Sequence, residues 1–196
     1  ETAAGMRAYV SDGAGIVSLT SLDSQTWHQE PGVRVKGGWD PSVVRPASGG
    51  YLMIYCAPVE DGAEGVLVVD GPIGGEGAPP SPVILGIETG RVTSVRCDTP
   101  RWQERITELL DTDAGARTIG ELGIGLNPNA RLVGVMLEDE KAYRTAHIAF
   151  GSNIGIPGGV NESTTHIDYL VHRPTIVALF EEETARTVVS DGEIRV

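Results

Sequence analysis

At 196 residues and 20.7 kDa, 40 % hydrophobic and 21 % charged, the chain has the make-up of one soluble globular domain with a sizeable core. A net charge of −12 and a pI near 4.7 argue against nucleic acid as the partner, because displacing counterions from phosphates needs clustered Lys and Arg. No apolar run is long enough to span a bilayer, and the opening ETAAGMRAYV does not read as a signal peptide. Cys56 and Cys97 are far apart without metal-type spacing. They read as buried free thiols, which points to a cytoplasmic location.

Taken in order, residues 1–48 are a loop-rich part with short candidate strands at Met6–Val10 and Gly15–Leu19. Trp27 and Trp39 are expected to pack against the main sheet, given the area a Trp buries. Leu52–Ala57 and Gly65–Val69 are short apolar runs bounded by turn signals, hence buried strands. Gly71–Pro82 is rich in Pro and Gly and must be a loop. Val83–Glu88 and Arg91–Cys97 flank Thr89-Gly90 at hairpin length.

One prominent helix is expected at about 99–111. Thr99 suits the N-cap and Pro100 the first turn, and Trp102, Ile106, Leu109 and Leu110 fall on one face. Beyond it the pattern returns to strands at Thr118–Ile124, Arg144–Phe150, Thr164–Val171, Thr175–Phe180 and Thr187–Val189. Arg131–Tyr143 fits either a strand or a short helix. No internal repeat is evident. The fold expected is α+β and mainly β, a single domain over 1–196 with a mixed, barrel-like sheet.

The chemistry concentrates between Glu121 and Asp168. His166 and Asp168 are two apart, so on a strand both point to one face. His147 shares a face with Ala149, while Ile148 and Phe150 take the other. Two imidazoles and one or two carboxylates can hold zinc, iron or manganese, although His-x-Asp on a strand is more often a plain hydrogen-bonded pair. The run Glu138-Asp139-Glu140-Lys141 reads first as a solvated face, with Lys141 and Glu140 as candidates to orient substrate or move protons. Asn161 and Glu162 are candidates for supporting the histidines, and Asn161 for contacting substrate. His28 and His172 have no nameable partner. GPIGGEG, without a following helix or Lys-Ser/Thr, is rejected as a phosphate loop.

Several blocks stand in one order: Pro58-Val59-Glu60-Asp61, Gly120-Glu121, Gly125-Leu126-Asn127-Pro128, Asp139-Glu140-Lys141, Thr145 to Gly151, Gly158 to Ser163 and His166-Ile167-Asp168. Over roughly residues 49–192 the chain thereby resembles the C-terminal, metal-bearing part of the aminopeptidase T family of metal-dependent aminopeptidases. Those enzymes also have a larger N-terminal domain with no counterpart in this sequence. The resemblance implies a pair of metal ions on six side chains, four of which match Glu121, His147, His166 and Asp168. At the other two positions stand Met53, in place of a glutamate, and Ile154, in place of a tyrosine. A thioether is a poor ligand for a hard dication and isoleucine is none, so one divalent metal per chain is expected, zinc or iron(II).

The function that follows is a metal-dependent enzyme of aminopeptidase T type, reduced to a mononuclear site and acting on a peptide or peptide-derived small molecule. One alternative is a non-catalytic peptide-binding protein that assists biosynthesis of a modified peptide. Another is a non-heme iron dioxygenase, since two histidines and a carboxylate suit Fe(II) and a ring-cleaving dihydroxypyridine dioxygenase is similar to the same family. The resemblance also implies a homodimer.

Overall fold

Short apolar runs separated by turn residues fold here into a succession of antiparallel pairs. The computed structural model describes residues 6–11, 15–22, 25–32, 35–36, 42–44, 52–54, 57–156, 158–179 and 185–195. In chain order the strands are β1 (Met6–Ser11), β2 (Gly15–Ser21), β3 (His28–Gln29), β4 (Val35–Lys36), β5 (Ser42–Val44), β6 (Leu52–Ile54), β7 (Gly65–Val69), β8 (Val83–Glu88) and β9 (Arg91–Arg96). Helix α1 (Pro100–Leu110) follows. Then come β10 (Ile119–Ile124), the single-turn α2 (Met136–Asp139), β11 (Thr145–Gly151), β12 (His166–His172), β13 (Ile176–Leu179), β14 (Ala185–Ser190) and β15 (Glu193–Ile194). The molecule is α+β and mainly β, as the sequence pattern implies.

Two three-stranded antiparallel sheets, β7-β8-β9 and β10-β11-β12, build the centre. Along β8, Val83, Leu85 and Ile87 alternate into the core. They meet Ile106 and Leu110 of α1, with Val69, Val92, Ile119, Phe150 and Tyr169 around them. Trp102 and Leu109 flank this cluster half-buried, so the apolar face read from the sequence is the buried one. Burying side chains of this size contributes roughly 1.5–3 kcal/mol each. Phe150 and Tyr169 meet edge to face with ring centroids 5.5 Å apart.

Among the described residues no closed barrel forms. Backbone pairing between the two central sheets is limited to isolated bridges, Arg91 with Thr118 at one side and Ile73 with Tyr169 at the other, while their side chains share one core. Continuous pairing fails after β7 because segment 71–82 is broken by Pro72, Pro79, Pro80 and Pro82, which have no N–H to donate. Only its start runs along β12, where Gly71 and Gly74 donate to the carbonyls of Leu170 and Asp168.

The β8–β9 hairpin turns through Thr89 at φ 49° and Gly90 at φ 69°, the left-handed pair of a tight hairpin. A Cβ on Gly90 would sit 1.5 Å from the Glu60 carbonyl oxygen, so only glycine fits there. Thr89, poorly suited to this backbone, gains a bond from its N–H to Glu64 Oε1 at 2.7 Å.

Thr99 occupies the N-cap, yet its hydroxyl makes no cap bond; its carbonyl accepts from Trp102 and Gln103 instead. The ambiguous stretch before β11 resolves into α2. Trp27 is 38 % exposed and does not join the core cluster. Trp39 and Cys56 fall outside the described residues. Cys97 is a half-buried free thiol, its Sγ 3.4 Å from Ser81 Oγ.

One carboxylate ties the post-helix turn to the approach of β12. Asp113 accepts from Gly115 N–H and Ser163 Oγ–H on Oδ1, and from the Thr164 N–H and hydroxyl on Oδ2. The Thr164 backbone bond, then the hydroxyls, hold its carboxyl far below the usual range. A depressed acid stabilises the fold above its unfolded pKa and loses that contribution as pH falls through the folded one. Asp113→Asn is therefore expected to lower the melting temperature at neutral pH. The gap to wild type should narrow in melts below about pH 4, where the unfolded carboxyl binds its proton. A gap that is constant with pH would contradict this.

Candidate metal centre

The site is written into the register of β10, β11 and β12. Gly123 pairs with His147, Ala149 with Asp168, and Gly151 with His166. In these pairs the ligating side chains lie opposite glycine or alanine, while on its β12 side His147 faces the buried Leu170. The other face of the same strands carries Ile148, Phe150, Ile167 and Tyr169 into the core. Residues two apart on a strand ordinarily share a face, yet Ile119 belongs to the core and Glu121 to the site. The register shift between them is a bulge at Gly120, where two steps on β10 oppose one on β11.

Glu121, His147, His166 and Asp168 converge as the sequence spacing suggests. His147 Nε2 lies 3.2 Å from Glu121 Oε1, and His166 Nε2 lies 3.3 Å from Glu121 Oε2. Asp168 Oδ1 is 3.6 Å from His166 Nε2 and 4.0 Å from His147 Nε2. His147 is buried, whereas the His166 side chain is 34 % exposed, so the cluster opens toward solvent at His166. His166 Nδ1 is 2.6 Å from the Ser152 carbonyl. Donating its proton there fixes the tautomer and turns Nε2 toward the carboxylates, the usual support of a ligating histidine.

The charges are strongly coupled. The Asp168 carboxylate, then that of Glu121, pushes His166 up to about 10 against its burial. Burial lowers His147, but Glu121, Asp168 and Glu140 outweigh it and the net shift is upward. Glu121 is raised by burial and brought down overall, to about 2, by hydrogen bonds from His147 and His166. Protons on the imidazoles thus do what a cation would do for these carboxylates.

Two buried atoms in the cluster, His147 Nδ1 and Asp168 Oδ1, have no hydrogen-bond partner. Buried polar atoms are seldom left so unless an ion, a ligand or a water takes them. One ligand atom each from Glu121, His166 and Asp168 lies within 4.8 Å of the other two, and the same holds for Glu140, His147 and Asp168. Imidazole nitrogen with carboxylate oxygen is a donor set for zinc, iron or manganese, so the residues fit a divalent cation.

Glu140 is a member the sequence reading named only as an acid–base candidate. Its run is not a solvated face: Asp139 and Glu140 are buried. Asp139 accepts from the N–H groups of Val133 and Gly134, and Lys141 Nζ lies 2.7 Å from Glu140 Oε1. A one-turn helix is too short to show which of its side chains point inward. Asn161 touches neither histidine; its side-chain amide donates to the carbonyls of Gly115 and Gly151. Glu162 is exposed. Ile154 is 50 % exposed beside Ser152, and the side chain of Met53 lies outside the described residues. His28 is exposed, and His172 contributes its backbone N–H to Asp70.

A family model described as thermophilic metalloprotease (M29) matches residues 53–194. The chain belongs to this family. Aminopeptidase T of Thermus thermophilus is 30 % identical over 158 residues, covering 71 % of this chain and 38 % of that protein. Aminopeptidase AmpS of Bacillus subtilis is 26 % identical over 137 residues, 60 % of this chain and 32 % of the relative. The chain therefore spans about a third to two fifths of the length of these curated relatives. Among solved structures, wild-type AmpT from Thermus thermophilus superposes with a TM-score of 0.59 at 25 % identity, covering 97 % of this chain and 49 % of the other. A 2,5-dihydroxypyridine dioxygenase from Pseudomonas putida has a TM-score of 0.61 at 22 % identity, over 96 % of this chain and 54 % of its own, a likeness of fold.

Within the M29 match, Gly123 is the position most constrained by the cluster. A Cβ there would stand 2.1 Å from His147 Cε1 and 2.2 Å from Nε2. Gly123→Ala is expected to push the imidazole aside and weaken zinc binding by about 10–100-fold, the range for lost support of a ligand. The overpacking should cost about 1–3 kcal/mol without unfolding the chain. Equilibrium dialysis with circular dichroism checks both; unchanged zinc affinity in a folded variant would contradict the account.

Proposed function

We propose that this chain is a metal-dependent, peptidase-like enzyme acting on a peptide or a peptide-derived small molecule. One tightly held divalent cation, zinc or iron(II), would sit on Glu121, His166 and Asp168 with His147 as a further donor. The observation that carries the reading is the convergence of these groups around two buried donor atoms without partners, His147 Nδ1 and Asp168 Oδ1. The names of the relatives, aminopeptidase T and aminopeptidase AmpS, point to peptides with a free amino terminus as the substrate class. A bound dication supplies Lewis acidity that polarises a carbonyl and acidifies water.

The remaining work falls to the chain's own residues. Glu121 faces both imidazoles through its two oxygens, so it orients them. Lys141 is about a quarter exposed and pairs with Glu140, and we assign it to a carbonyl or carboxylate of the substrate. Asn161 contributes by tying the 151–161 segment to the sheet edge that a substrate would approach. A second reading, peptide binding without hydrolysis, draws support from Ile154, an exposed apolar side chain at the position where the resemblance calls for a ligand.

Amino-acid anilides and short peptides, offered with zinc, iron(II) and manganese(II) under anaerobic conditions, separate these readings. Cleavage is expected with at least one metal, to stop with chelator, and to fall by at least about a hundredfold in Asp168→Asn, the scale of losing a group that acts in the transition state. Tight peptide binding with no cleavage under any metal would favour the second reading over the first.

Assembly belongs to the same proposal. Leu132, Val133, Val135 and Leu137 are all exposed in one stretch, apolar surface of the kind that pairs copies. A homodimer is expected by light scattering at micromolar concentration, and a monomer would contradict it.

A further inference from the structure

We infer that the open pocket between the turn after α1 and the segment after β11 is the subsite for a basic side chain, lysine or arginine, on the amino-terminal residue of the substrate. Glu162 is its counter-ion and Ile154 its apolar wall. This rests on the peptide reading above and names the class of peptide.

One shared residue sets the pocket's place. Ser152 lines it together with Asp113, Ile154, Glu162, Ser163 and Thr164, around a volume of about 410 Å³. The Ser152 carbonyl is also the atom 2.6 Å from His166 Nδ1, so the pocket adjoins the candidate metal centre at His166. That is the histidine through which the cluster opens toward solvent. A peptide whose first amide lies over the cluster has this pocket within reach of its first side chain.

The walls are held by bonds made within the fold, so the pocket is formed before any ligand arrives. Asn153 Oδ1 accepts from the Asn161 N–H at 2.8 Å, and Asn161 Nδ2 donates to the Gly151 carbonyl at 2.7 Å. Glu60 accepts from Asn153 Nδ2 and the Val160 N–H. Asp113 holds Ser163 and Thr164, which occupies both its oxygens but leaves its charge in the wall.

Two lining side chains are left uncommitted, and together they define the ligand. The Glu162 carboxylate is exposed and makes no hydrogen bond or ion pair among the described residues. Ile154 is 50 % exposed. Two carboxylates and an aliphatic surface line the pocket, with no Lys or Arg among the lining residues. Lysine and arginine match that combination, an apolar stem carrying a cationic head. An acidic side chain would meet two like charges. Because Ile154 stands where the family resemblance places a tyrosine, this wall is a property of the present chain.

Calorimetry on the full chain in excess zinc tests this with three tripeptides, Lys-Ala-Ala, norleucine-Ala-Ala and Glu-Ala-Ala, each N-methylated at the first amide against cleavage. Wild type is expected to bind the lysine peptide about tenfold more tightly than the norleucine one, the scale of one charge-assisted hydrogen bond, and the glutamate peptide least. Glu162→Gln is expected to bring the lysine peptide down to the norleucine level, and Glu162→Lys to reverse the order of the lysine and glutamate peptides. Ile154→Ser is expected to weaken the lysine and norleucine peptides by the same severalfold factor. Equal binding of all three by wild type, or binding of none, would overturn the pocket assignment. So would a parallel loss of the lysine and norleucine peptides in Glu162→Gln, because that places the α-ammonium against Glu162. The unmethylated peptides test the proposed function separately, and their cleavage leaves it standing whatever the ranking. Should the Glu162 variants fail to fold, as judged by circular dichroism, the wild-type ranking decides alone.

Discussion

The cluster depends first on one structural constraint, the register of three antiparallel strands. A slip of one residue between β11 and β12 would turn His166 and Asp168 into the core and bring Ile167 and Tyr169 out. The core opposes that slip, because Phe150, Ile167 and Tyr169 lie on its side of the sheet. The bulge at Gly120 then adjusts β10 so that Ile119 joins the core while Glu121 does not. Packing on one face therefore holds the geometry on the other.

Electrostatics supply the second layer. Carboxylates brought this close in a half-buried setting need positive charge, and they shift both His147 and His166 upward. The cost of holding such groups together is offset by supports that never touch the cluster's centre. The Ser152 carbonyl anchors His166, Asp113 ties down the turn leading to it, and Asp139 braces the approach to Glu140. Glu60 adds a further brace, accepting from Asn153 Nδ2 and Val160 N–H at 2.8 Å each, and those bonds lower its carboxyl. An M29 chain that matches only part of its relatives thus still contains a self-consistent polar network around the candidate site.

Much of this was legible in the sequence. Hairpin spacing placed β8 and β9; helical spacing placed α1; and His-x-Asp on a strand gave two groups on one face. The closure of the sheet was not legible, because strand periodicity says nothing about which edges meet, and the prolines of segment 71–82 leave only isolated bridges. Nor was the inward turn of Glu140. Four charged residues in a row normally solvate, and what reverses that here is a pair of backbone bonds to Asp139 from residues five and six positions earlier. The anchor on His166 is a backbone carbonyl, which no side-chain pattern could announce. Gly123 stood in plain sight, but its reason, the His147 imidazole occupying the space of a Cβ, exists only once β10 and β11 are paired.

The central claim is that this face of β10, β11 and β12 binds a cation rather than serving as an ion-pair scaffold. Thermal melts of wild type and His166→Ala, each with zinc and with chelator, test it most directly. A ligand that binds only the native state raises stability by mass action, about 2.7 kcal/mol at a hundredfold excess over its Kd. The account expects zinc to raise and chelator to lower the wild-type melting temperature, with His166→Ala largely indifferent to both. A wild type unmoved by zinc or chelator, beside a mutant destabilised by about 1–3 kcal/mol or more in either condition, would contradict it, because that is the signature of a buried hydrogen-bonded pair losing one partner.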